Sequence, residues 1–149
     1  MNIDAHTNLF NESNIREIDF EKDRKIVFLE KELEQYRRVI KRIVGRKNNS
    51  YYVLKIDSIA SFVSKDKYNY CKTEDDEYRI KEQLYFLEEV LPKDRFLRIS
   101  NSVIINIDFV KCFNTDVIGT IIIEMEDGSK ETVSKRRNKE VMRFIKNIK

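Results

Sequence analysis

The sequence predicts a mainly β (α+β) fold: an antiparallel β domain with two short helices, preceded by one long N-terminal amphipathic helix. Three observations carry this. Residues 19–44 hold neither Gly nor Pro and are rich in Glu, Lys, Arg and Leu, which are good helix formers. From residue 51 onward, β-branched and aromatic residues come in short runs parted by turn residues, the pattern of strands. Between them, Gly45-Arg46-Lys47-Asn48-Asn49-Ser50 is a polar break of the kind that separates units.

The first 18 residues are polar and read as a poorly ordered segment. In the helix expected over residues 19–44, Ile26, Leu29, Leu33, Tyr36, Ile40 and Ile43 are spaced 3, 4, 3, 4, 3, the seam of a coiled coil. Phe28, Val39 and Val44 widen the stripe, and Gly45 suits the position that ends a helix. Such a stripe serves self-association through paired helices, or packing on the helix's own domain. With its linker, residues 19–50, this is the dimerisation candidate. Residues 51–149 form the β unit, with strands expected at 51–56, 59–63, 68–72, 78–80, 96–99, 109–113, 120–125 and 131–133. Asp127-Gly128 suits a tight hairpin. A helix at 81–90 ends before Pro92, and a C-terminal helix at 135–148 carries Val141, Phe144, Ile145 and Ile148 on one side, with Ser134 placed to cap it.

Composition narrows the function classes. A chain of 149 residues with 41% apolar and 37% charged residues suits one domain with an appendage and a heavily ionised surface. No apolar run is long enough to span a bilayer and no export signal is visible, so a cytoplasmic location without membrane insertion is expected. Cys71 and Cys112 lack metal-ligand spacing, and His6 is the only histidine, which disfavours zinc and histidine catalysis. The three glycines form no phosphate-binding loop. The acidic run Glu74-Asp75-Asp76-Glu77 reads as a solvated hairpin tip. No catalytic residue, metal or cofactor is expected, and no enzyme. Charge is uneven: residues 129–149 carry +6 and residues 48–128 carry −5. A local positive field attracts polyanions, while an acidic middle disfavours non-specific coating of nucleic acid.

One segment narrows the reading further. Phe96-Leu97-Arg98-Ile99-Ser100-Asn101-Ser102-Val103-Ile104-Ile105-Asn106 resembles the central signature of LytTR-type DNA-binding domains, approximately Phe-x-Arg-x-His-x-Ser-x-Ile-Val-Asn. Ile56-Asp57-Ser58-Ile59 with Phe62, Lys67-Tyr68, Leu91-Pro92 and Val133-Ser134-Lys135-Arg136 follow the family's order. The likeness spans about two-thirds of the chain, residues 51–149. Ser100 stands where the family commonly has His. The resemblance implies a β domain that binds duplex DNA through loops, commonly in bacterial transcription regulation. Many members carry an N-terminal receiver domain; 50 residues cannot hold one, so the short, stand-alone type is expected.

By the same resemblance, Asn101 and Arg136 fall at base-contacting positions, and Asn69 aligns with a third. An Asn amide matches adenine and an Arg fork matches guanine in the major groove. Lys65, Lys67, Ser102, Lys135, Arg137 and Lys139 suit phosphate contact. Plainer uses exist: Asn101 as a turn cap, Arg136 as a solvated residue of a first helical turn, Asn69 as a turn residue. Arg98 and Asn106 sit beside strand positions and suit structural roles. The expected partners are double-stranded DNA and a second copy of the chain, with a regulatory protein as a further candidate. The alternative function is an interaction module docking through its N-terminal helix onto a sensor or membrane partner. Single-stranded RNA binding would use Tyr68 and Tyr70 as stacking platforms.

Overall fold

The computed structural model describes residues 19–33 and 39–148. They belong to two compact units, divided between residues 38 and 39. The segment 1–18 and Tyr36 lie outside the described residues. Helix α1, residues 19–33, exposes every residue. Its apolar side chains Ile26, Leu29 and Leu33 are each more than half exposed, as are Phe20 and Phe28. Arg24 lies 5.8 Å from the centroid of the Phe20 ring, one helical turn away, where such pairs meet.

The helix does not run to residue 44. Strand β1, Arg42–Lys47, pairs with β2, Ser50–Lys55, through a turn at Asn48, whose φ of 56° is the left-handed region that Asn tolerates. The polar break is therefore a hairpin turn, and the β unit starts before residue 51. Ile43 is 4% exposed within the core and Ile40 packs against it. Neither belongs to the helical seam. Gly45 is no helix terminator: a Cβ there would lie 2.6 Å from Cβ of Tyr78, so strand pairing requires the missing side chain. Burial alternates along β1, the period of a strand. Tertiary pairing has overridden helix propensity here.

The remaining strands are β3 (Ser61–Lys65), β4 (Tyr68–Lys72), β5 (Glu77–Ile80), β6 (Phe96–Ser100), β7 (Val103–Asn106), β8 (Val110–Thr115), β9 (Ile121–Met125) and β10 (Lys130–Thr132). Two antiparallel sheets result, of order β2-β1-β5-β4-β3-β7-β6 and β10-β9-β8. Helix α2, Leu84–Val90, follows β5, and α3, Asn138–Lys146, follows a 3-10 turn at Lys135–Arg137. Like β1, strand β7 is absent from the sequence pattern. All four of its residues are buried, and a strand covered on both faces shows no alternation.

Period-two alternation on β6 and β7 divides the core. Phe96 and Ile104 join Leu84, Leu87 and Leu91 around α2. Leu97, Ile99, Val103 and Ile105 join Ile121, Ile123, Met125 and Val141 beneath the second sheet and α3. Arg98 therefore shares the α2 side of β6 with Phe96. Asn106, fully buried, donates from Nδ2 to the Ile59 carbonyl at 2.9 Å and accepts from the Asp108 N–H at 3.0 Å. Its amide locks the crossing between β7 and the chain after β2.

Candidate nucleic-acid interface

Three turns meet at one end of the seven-stranded sheet. The β3–β4 turn holds Asp66 and Lys67 at φ 51° and 71°, a left-handed pair typical of two-residue hairpins. The β6–β7 turn is Asn101-Ser102. Because β3 runs antiparallel to β7, with Val63 opposite Val103, both tips project from the same end. The Ser64 N–H donates to the Ser102 carbonyl at 2.8 Å and ties them together. The third turn is Lys135–Arg137. It is fastened to the edge strand β6 where the Ser134 N–H donates to the Ile99 carbonyl at 2.9 Å. Ser134 makes no side-chain cap; its carbonyl accepts from the Arg137 N–H instead.

Asn101, Ser102, Lys67, Lys135, Arg136 and Lys139 are exposed on these turns and the start of α3. Among the described residues, none of those four cations has an ion-pair partner. Exposed, unpaired cations fit phosphate contact, and free amide and guanidinium groups fit base edges.

Other expected contacts are corrected. Asn69 is 8% exposed, and its Nδ2 donates to the Glu82 carbonyl at 2.9 Å and to Gln83 Oε1 at 3.3 Å. It lies on β4 and holds the chain that leads into α2, so its amide is buried and already engaged. Arg137 is also engaged. Its Nη1 donates to Glu88 Oε1 at 2.9 Å and Glu140 Oε2 at 3.2 Å, with the side chain 21% exposed. Lys65 pairs with Glu77 at 2.6 Å and sits 4.9 Å from the Tyr70 ring centroid. Arg79 stacks 3.6 Å from the centroid of Tyr68. Both tyrosines already have a cation over the ring, which disfavours them as open stacking platforms.

Arg98 underlies the turn that carries Asn101. Its Nε donates to the Ser100 carbonyl at 3.0 Å, Nη2 to the Asn101 carbonyl at 2.9 Å and Nη1 to Glu88 Oε2 at 2.8 Å. Burial acts to raise the Glu88 carboxyl, but hydrogen bonds and charge from Arg98 and Arg137 outweigh it and hold the group below the ordinary carboxylate range. Sequence reasoning assigned Arg98 a structural part and missed Glu88. No motif marks it; only the fold brings residue 88 to residues 98 and 137.

Among the described residues no cluster of metal-ligating side chains forms, and no helix is long and apolar enough to cross a membrane. The model of the LytTr DNA-binding domain family matches residues 49–146. The chain belongs to the LytTR family. LytTR domains bind DNA in transcription regulation and are not a catalytic family. The chain is similar to the Sensory transduction protein LytT of Bacillus subtilis (strain 168), 24% identical over 131 residues, covering 78% of this chain and 54% of that protein. It thus spans about half the length of that relative. A solved LytTr DNA-binding domain from Bacillus cereus superposes with a TM-score of 0.68 at 23% identity, covering 71% of this chain and 97% of that one. That likeness establishes the LytTR fold: mainly antiparallel β with few helices.

Proposed function

We propose that the chain is a bacterial, cytoplasmic transcription regulator that reads specific sequences in the major groove of duplex DNA through the turns of its LytTR domain. Asn101 and Arg136 contact base edges, and Lys67, Ser102, Lys135 and Lys139 hold phosphates. The observation that carries this reading is the joining of the three turns by the Ser64–Ser102 and Ser134–Ile99 backbone bonds. It gathers exposed amide, hydroxyl and cationic groups at one end of a rigid sheet. Two copies, paired through the apolar side of α1, would engage repeated half-sites, so that modest single-domain contacts combine through effective concentration.

The test is a binding titration against a duplex selected from a random library and a random-sequence duplex of the same length. Arg136→Ala costs about 1–3 kcal/mol on the selected duplex and relaxes preference at one base pair, whereas Lys67→Ala weakens both duplexes alike and lowers the salt slope by about 1. Equal losses on both duplexes for Arg136→Ala would remove that residue from base reading.

A second reading, a protein-interaction module, draws on the exposed Ile26, Leu29 and Leu33 of α1, which would suit a sensor partner as well as a second copy. Binding that is insensitive to salt and to duplex sequence would favour it.

A further inference from the structure

We infer that Glu88 is a positioning residue for DNA reading, a carboxylate clamp that sets the spacing between the turn carrying Asn101 and the turn carrying Arg136. The inference rests on the base-reading assignment above. Neither turn touches DNA through Glu88 itself. Its two oxygens are divided between them: Oε2 accepts from Arg98 and Oε1 from Arg137. Arg98 in turn donates from its other two nitrogens to the Ser100 and Asn101 carbonyls, so the β6–β7 turn is held through its backbone while the Asn101 side chain stays free. Arg137 is the chain neighbour of Arg136, and fixing its guanidinium fixes the 3-10 turn from which Arg136 projects.

The clamp has a rigid base. Leu84, Leu87 and Val90 bury one side of α2, and Glu88, one helical turn after Leu84 at the edge of that side, is 35% exposed and faces Arg98 at 13% and Arg137 at 21%. Charge-assisted pairs at this depth are geometrically demanding and stronger than exposed ones. They also serve a second purpose. With Glu140, Glu88 keeps Arg137, a cation of the reading turn, away from phosphate, and Glu88 makes the shorter of the two bonds. Non-specific affinity grows with each such cation, so neutralising Glu88 acts in opposite directions on specific and non-specific binding.

Glu88→Gln separates this role from a merely structural one. With the folded protein, the selected duplex is expected to bind about tenfold more weakly, while a random duplex binds as well as before or better. The salt slope on the random duplex steepens by about 1 as Arg137 takes up a phosphate. A parallel fall on both duplexes, or no change on either, overturns the clamp. A wild-type protein that holds both duplexes equally overturns the base-reading assignment beneath it. Should Glu88→Gln fail to fold by circular dichroism, Arg137→Gln cuts one arm alone: preference is then lost at the base pair read by Arg136 and kept at the one read by Asn101. Loss at both, or at neither, overturns the clamp equally.

Discussion

Single residues here are decided by what surrounds them rather than by their type. Asn69, Asn101 and Asn106 are chemically identical, yet the first ties β4 to the chain before α2, the second is exposed on a turn, and the third is sealed in the core. Arg136 and Arg137 are adjacent, and only the first lacks an acidic partner among the described residues. Gly45 makes the point most sharply. Its absent Cβ lets β1 approach Tyr78, and the Tyr78 Cβ in the way cannot swing aside. Gly45→Ala is therefore expected to destabilise the β domain by about 1–3 kcal/mol, the cost of overpacking, measured by urea unfolding. An unchanged midpoint would mean that β1 shifts freely on β5.

At the scale of elements, one apolar stripe of the sequence is divided between two jobs. Ile26, Leu29 and Leu33 are exposed on α1, while Ile40 and Ile43 serve the β core. Paired substitutions test the division. Leu29→Asp with Leu33→Asp should give a chain that sediments as a monomer with its β domain folded. Ile43→Asp should unfold the domain, since a buried unpaired charge costs several kcal/mol. A wild type that is already monomeric at micromolar concentration would remove the pairing of α1, and a stable Ile43→Asp domain would contradict the core position of that residue. The helix expectation overran because residues 39–44 contain no Gly or Pro and continue the 3–4 spacing. Ile and Val serve either element, and the partner strand settled which.

For the whole molecule, acid weakens the link between its parts. The Glu88 carboxyl is held below its ordinary value of 4.5 against the opposing effect of burial, so its folded pKa is lower than its unfolded one. Such a group stabilises above the unfolded value, and its contribution is lost as pH falls through the folded value. Hydrogen bonds from Ser129 depress Asp127 in the same direction, whereas burial raises Glu131 in the opposite one. The stability gap between wild type and Glu88→Gln, read from urea midpoints, should therefore be full near neutral pH and close on acidification below about 4.5. A gap that persists in strong acid would show that the carboxylate charge is not what joins α2 to the two turns.

The amino-acid order alone determined the mainly β class, most strand positions, the two short helices and the family likeness. Each of these depends on local period, turn residues or a contiguous motif. Through the family likeness it also pointed to Asn101 and Arg136, and both are exposed on turns. The start of the β domain, strand β7, the internal hydrogen bonds that engage Asn69 and Arg137, and the placing of Glu88 between two arginines were decided only in three dimensions. Each depends on partners tens of residues away, whose approach leaves no periodic trace in the chain itself.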